Sequence, residues 1–292
     1  MDFACNQREY LQPLLSERRK LIVFQYGVAI RRGQMSPRIT IITAVHNRVS
    51  TIEATIQSVL SQRDSNIEYI VVDGNSKDGT EDVIRRYEGR IAKYIREADS
   101  GIYNALNKGI QASTGDIIGF LHADDVLLGV DSCKRIAEAF CNKNVDATYG
   151  DLVYVDQNRP EKIVRYWKSK QMSWNAFGWG WMPPHPTFYL RRRHYIDFGF
   201  YREDFEIAAD YELMLRMLHK HRLKTAYLEG VLIQMRLGGK SNANFNSHLC
   251  ANREDKRAWN VNGLKPPSCL RILKPMRKIL QYWYRPNKLI DA

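Results

Sequence analysis

Ten residues, Asp116–Asp125 (DIIGFLHADD), constrain this chain more than any other stretch. Ile117, Ile118, Phe120 and Leu121 form an apolar run short enough for a buried strand. Gly115 punctuates its start, and the run stops abruptly in His122-Ala123-Asp124-Asp125. In an open α/β sheet, ligands bind beyond the carboxyl ends of the strands. Adjacent carboxylates placed there repel each other and lose solvation unless a cation holds them. Mg2+ is commonly held by one or two carboxylates while substrate phosphates complete its shell. Asp124, together with Asp125, therefore reads as the grip on a metal–diphosphate. An acidic turn capping the next helix is the plainer alternative, and these ten residues leave both open.

The flanking pattern supplies the sheet. Ile39–Val45, Ile67–Val72 and Lys93–Arg96 read as strands. Ser50 and Glu53 have the spacing of a capping box for a helix with Ile52, Ile56, Val59 and Leu60 on one face. Thr80 is placed to cap a second helix, and a third carries Ile102, Ala105, Leu106, Gly109 and Ile110. Strands alternating with helices argue βαβ units, so the fold class is α/β with a mostly parallel central sheet flanked by helices. Beyond it, a helix over Asp131–Phe140, strands over Val145–Val155 and Ile163–Trp167, a helix over Glu206–Lys220 and a strand over Thr225–Gln234 suggest a smaller mixed region. Residues 36–250 then form one domain, with halves meeting near residue 130, and 251–292 form a tail. Residues 1–35 read as an appendage or as translation from a start upstream of Met35.

The polar clusters after successive strands fall on one sheet edge, because right-handed crossovers put those ends together. Asp73, Asp99 and Asp124 would then line one crevice. Each alone is an ordinary turn former. Together they suit a nucleotide pocket, since carboxylates accept from ribose hydroxyls and base N–H groups.

At this point the residues TIITAVHN, the helix with Glu53, YIVVDGNSKDGT, EADSGIYNALNKGI and LHADD resemble the donor half of glycosyltransferase family 2. That family comprises inverting enzymes of GT-A fold, and ADSGIYNALNKGI resembles its branch in bacterial colanic acid and exopolysaccharide biosynthesis. The resemblance implies a nucleotide-sugar site from Asn47, Glu53, Asp73, Asp99, Lys108, His122 and Asp124, with Asp73 facing the base and Asp124 binding Mg2+ or Mn2+. It implies uridine as the base. Two departures stand out: Val72 precedes Asp73 where many members carry an acid, and His122 stands where the DxD motif opens with Asp. A neutral imidazole can still bond a ribose hydroxyl or a cation.

In the second half, Trp174–Pro186 gathers four large aromatic rings in a Gly- and Pro-broken loop. Sugar C–H faces stack on indole, so Trp179 and Trp181 are expected to bind the acceptor, with His185 beside them or else buried against a carbonyl. Asp210 opens a helix where the resemblance places the catalytic base. Inverting displacement requires the acceptor hydroxyl to lose its proton, and a helix N-terminus favours an ionised carboxylate. Gly238, Gly239 and Lys240 could fold over the diphosphate or be a plain turn.

Formal charge is +12, yet between Met35 and Leu249 there are 28 basic against 26 acidic residues. The basic excess sits at the ends, which argues against nucleic acid and for a surface tether. A helix opened by Pro275 sets Met276, Ile279, Leu280 and Trp283 on one face, and a basic amphipathic helix suits an anionic membrane surface. With no membrane-spanning run and five scattered cysteines, the expected place is the cytoplasmic face of the membrane, where a lipid-linked saccharide would be the acceptor. A non-catalytic nucleotide-sugar-binding subunit is the alternative, prompted by His122.

Overall fold

A computed structural model describes residues 36–63, 65–238, 245–267 and 281. The expected appendage, the 239–242 part of the glycine loop and, apart from Gln281, the helix from Pro275 lie outside the described residues. The strands are β1 (Ile39–Val45), β2 (Ile67–Asp73), β3 (Lys93–Arg96), β4 (Ile117–Phe120), β5 (Val126–Leu127), β6 (Ala147–Val155), β7 (Ile163–Trp167), β8 (Tyr189–Arg191) and β9 (Thr225–Arg236). They make one sheet in the order β3-β2-β1-β4-β8-β6-β9-β5, with β7 paired to β6. The first half is parallel, β1 lying between β2 and β4. The second half is mixed: β8 runs antiparallel to β4 and β6, and β9 runs parallel to β6 and antiparallel to β5.

Seven helices cover this sheet among the described residues: α1 (Ile52–Leu60), α2 (Thr80–Arg85), α3 (Ile102–Ala112), α4 (Ser132–Cys141), α5 (Arg192–Phe198), α6 (Ala209–Met214) and α7 (Phe245–Val261). A π-helical turn carries α6 on to Lys220. The apolar strand residues are buried on both sides, as a parallel sheet requires. Ile42, Ile70 and Phe120 face α3 and α6, while Ile41, Val71 and Ile117 face α1, α2 and α4. Gly119 marks the seam between the halves. The ring of Tyr189, its register partner on β8, occupies the space a Cβ would take.

Local readings differ from the structure at two helix starts. The Ser50–Glu53 capping box is corrected: α1 is preceded by Thr51, which makes no side-chain cap. Glu53 instead accepts from the Tyr87 hydroxyl at 2.8 Å and faces Arg86, because tertiary partners outcompete the local one. Gly79, with φ 94°, rather than Thr80 precedes α2. The boundary expected at residue 250 falls inside α7, whose Ala258 and Trp259 are buried. No helix among the described residues is long and apolar enough to cross a membrane.

Candidate active site

The parallel register brings the ends of β1, β2 and β3 level, pairing Val45 with Asp73 and Asp73 with Arg96. The loop after β1 binds to the loop after β2. His46 Nδ1 donates to the Gly74 carbonyl at 3.0 Å, and the Asn47 amide donates to the Ser76 hydroxyl at 2.9 Å. Asn47 holds a left-handed φ of 52°, and its Oδ1 accepts the Lys77 amide at 2.8 Å. Asp99 lies against Gly74 so closely that any Cβ there would overlap its carboxylate. Lys108 reaches back from α3 to the Ala98 carbonyl at 2.9 Å and to Glu97. Asn47, Asp73, Asp99 and Lys108 thus gather at one edge, whereas Glu53 turns to α2.

Asp73 is fully enclosed. Its Oδ1 accepts the Ser76 amide and hydroxyl at 2.9 and 2.6 Å, and its Oδ2 accepts the Tyr94 hydroxyl at 3.0 Å. Arg96 stands 3.6 Å from Oδ2 and joins Glu81 at 3.0 Å. The carboxylate therefore shapes the turn after β2 and lies behind the surface of the crevice.

The acidic turn splits its two carboxylates. Asp124 faces the β1 loop, accepting Arg48 Nε at 2.9 Å and the Thr51 hydroxyl at 2.7 Å. Asp125 is buried, and its Oδ2 is shielded without a hydrogen-bond partner. Burial first, and Asp124 second, push its carboxyl well above the usual carboxylate range. The expectation that Asp125 binds metal is corrected: the Asp125 amide donates to the His122 carbonyl at 2.9 Å, and the turn this closes leaves the Asp125 side chain buried. Among the described residues, no three His, Cys, Asp or Glu side chains converge as a metal site. One carboxylate together with diphosphate oxygens does match how Mg2+ is held. The donor set therefore fits a cation that arrives with a nucleoside diphosphate, and it is too small to hold one tightly alone.

His122 links this turn to the second half of the domain. Burial lowers its pKa to about 4, helped by His185, while Asp210 and Asp124 oppose the shift. Its ring stacks on that of His185 with centroids 5.9 Å apart. Asp210 opens α6 and also acts on the buried hydroxyls of Tyr103 and Tyr201, where burial is the larger cause of their raised pKa values. The start of α6 meets the start of α3, where the Tyr103 hydroxyl donates to the Ile207 carbonyl at 2.6 Å.

Trp179, 58% exposed, and the half-buried Trp181 line a cleft of about 250 Å³ with Lys170, Gln171, Met172 and Ser173. Phe177 of the same loop packs on Tyr211, the neighbour of Asp210, with centroids 5.8 Å apart. His185 is corrected to a core residue: it is 6% exposed, its Nε2 and the Tyr201 hydroxyl are hydrogen-bonded at 2.6 Å, and its ring stacks on Phe120.

The model of the family described as Glycosyl transferase family 2 matches residues 40–203, more than half of the chain. This chain belongs to glycosyl transferase family 2. An uncharacterized glycosyltransferase of Mycobacterium tuberculosis is 32% identical over 190 residues, covering 62% of this chain and 69% of the relative. Among solved structures, the mannosyltransferase PcManGT from Pyrobaculum calidifontis in complex with GDP-Man and Mn2+ aligns with TM-score 0.59 at 18% identity, over 93% of this chain and 78% of that one. Glucosyl-3-phosphoglycerate synthase from Mycobacterium tuberculosis, in complex with Mn2+, UDP and phosphoglyceric acid, aligns with TM-score 0.58 at 16% identity, over 80% of each chain. The family 2 domain here has their GT-A fold. Four residues of its site went unread in the sequence: Arg48 and Thr51 on Asp124, and Ser76 and Tyr94 on Asp73. Arg48 had one signal, its place directly after the first strand's His46-Asn47.

Proposed function

We propose that this family 2 glycosyltransferase moves a sugar, with inversion, from a UDP-sugar to a saccharide hydroxyl on a lipid-linked acceptor in bacterial surface polysaccharide synthesis. The observation carrying this reading is the packing that joins the acidic turn to the start of α6: His122 stacks on His185, His185 packs on Tyr201, Tyr201 stacks on Tyr103, and the Tyr103 hydroxyl donates to the Ile207 carbonyl at 2.6 Å. A diphosphate at Asp124 and an acceptor at Asp210 would then flank one anomeric carbon. Asn47, Asp99 and Lys108 border the nucleoside, and Asp73 holds the turn beneath it. Asp124 is the residue to hold Mg2+ or Mn2+, which as a Lewis acid would neutralise the leaving diphosphate. The Mn2+ in the two neighbouring structures supports a divalent metal.

Asp210 takes the proton of the acceptor hydroxyl as that oxygen bonds to the anomeric carbon and the bond to diphosphate breaks. Trp179 and Trp181 offer stacking faces to the acceptor saccharide. The basic tail would hold the protein to the cytoplasmic face of an anionic membrane. Gln281, the one described residue beyond 267, accepts from Arg165 Nε of β7 at 2.6 Å.

The test is a screen of nucleotide sugars for released diphosphate, with a lipid-linked saccharide as acceptor, with and without EDTA. Acceptor-dependent release from a UDP-sugar that EDTA abolishes is the expected result. Donor binding without transfer to any acceptor favours the non-catalytic subunit, a reading prompted by His122 and favoured by the engagement of Asp124 with Arg48.

A further inference from the structure

Both oxygens of Asp124 are engaged by the chain itself. Arg48 Nε donates to Oδ2 at 2.9 Å and the Thr51 hydroxyl donates to Oδ1 at 2.7 Å. Asp125 cannot stand in for it, since its carboxyl is buried. A guanidinium seated on Oδ2 and a dication seeking the same oxygen repel each other, so only one can hold Asp124 at a time.

We propose that Arg48 is an internal counter-ion that keeps Asp124 closed to divalent cations until a nucleoside diphosphate arrives, and then passes from the carboxylate to the diphosphate. This rests on the reading of Asp124 as the cation site. Three observations carry it. The pair is exchangeable, with side chains 48% and 36% exposed, and exposed ion pairs are weak. Arg48 is tethered where it would be needed, because its Nη1 donates to the Asn47 carbonyl at 2.9 Å in the loop that meets Gly74 and Ser76. Its backbone amide is fixed by the Thr80 hydroxyl at 2.8 Å, so a change of partner needs only side-chain rotation. A planar guanidinium, moreover, matches pairs of phosphate oxygens as well as it matches a carboxylate. Metal and donor binding would thereby be coupled through one side chain.

The experiment titrates Mn2+ into the full chain, reading free Mn2+ by electron paramagnetic resonance, with and without UDP. Wild type is expected to bind Mn2+ weakly alone and more tightly with UDP. In Arg48→Gln, Mn2+ alone should bind about 5-fold more tightly, the scale of releasing one exposed ion pair, and the gain from UDP should shrink. Arg48→Lys keeps the charge without the fork and should fall between; it carries the test if the glutamine variant does not fold. Equal Mn2+ affinities in wild type and both variants without UDP overturn the counter-ion role. Asp124→Asn separates the two readings. If it abolishes Mn2+ binding while the Arg48 variants change nothing, only the counter-ion role falls; if it leaves Mn2+ binding intact, the cation site itself falls.

Discussion

Glu254 Oε2 accepts the backbone amide of Ala208 at 2.8 Å, joining α7 to the start of α6. The same carboxylate accepts the amides of Ile207 and Glu206 at 2.9 and 2.7 Å. Helix starts leave backbone N–H groups without intrahelical partners. Here a buried side chain from a distant helix takes the amides that lead into Asp210. Glu254→Ala removes the acceptor and is expected to cost about 1–3 kcal/mol of stability. Because α6 loses its anchor, turnover should fall as well, with donor affinity retained. Thermal melts and initial rates on the same preparation check both.

Asp210→Asn keeps the size of the side chain and removes its ability to take a proton. Turnover is expected to drop by about 10²–10⁴-fold, the usual contribution of a positioned general base. Donor affinity, measured by calorimetry with UDP and Mn2+, should stay within about 2-fold, an energy below 0.5 kcal/mol. Retained turnover removes Asp210 as the base and directs attention to its neighbours on α6.

The sequence made some of this site legible and hid the rest for physical reasons. Strands β1, β3 and β7 have the bounds expected from the sequence. The parallel order of β1 to β4, which puts their carboxyl ends on one edge, followed from right-handed crossovers. What stayed hidden were partnerships across long stretches of chain. Thr51 meets Asp124 73 residues on, and Tyr94 meets Asp73 from the neighbouring strand. Glu254 sat in a segment read as tail because of its charge, although the helix around it buries Trp259, whose Nε1 donates to the Tyr211 hydroxyl at 2.8 Å. The opposite fates of Asp124 and Asp125 were hidden too, because both sit in a turn after β4, where strand alternation no longer applies.

His185 should make the fold acid-sensitive. Burial lowers its pKa to about 4 from an ordinary 6.5. The unfolded chain therefore takes up a proton below about pH 6.5 while the folded chain stays neutral until about pH 4, so stability falls as pH falls through that window. A shift of that size corresponds to about 3 kcal/mol, fully lost only below the lower value. Urea unfolding of wild type and His185→Gln between pH 7.5 and pH 4 checks it. The variant, without a titrating ring, is expected to show the shallower acid slope, and equal slopes would exclude a neutral buried imidazole.

Asp125→Asn tests the division of labour in the acidic turn. Asp125 is turned into the protein, so the variant is expected to bind Mn2+ with UDP as wild type does, whereas Asp124→Asn is not. Stability, unlike metal binding, should respond to this substitution. Burial holds the Asp125 carboxyl above its ordinary range, so the folded chain keeps a proton that the unfolded chain has already lost. Stability of the wild type then declines as pH rises through that interval. Asparagine carries no proton to lose, and its Oδ1 can still accept the Arg236 amide. The melting temperature of the variant relative to wild type should therefore be highest at pH 8 and should fall steadily as pH approaches 4. Loss of Mn2+ binding in this variant would return Asp125 to the metal, and a flat difference across pH would mean that its carboxylate is solvated in the folded chain.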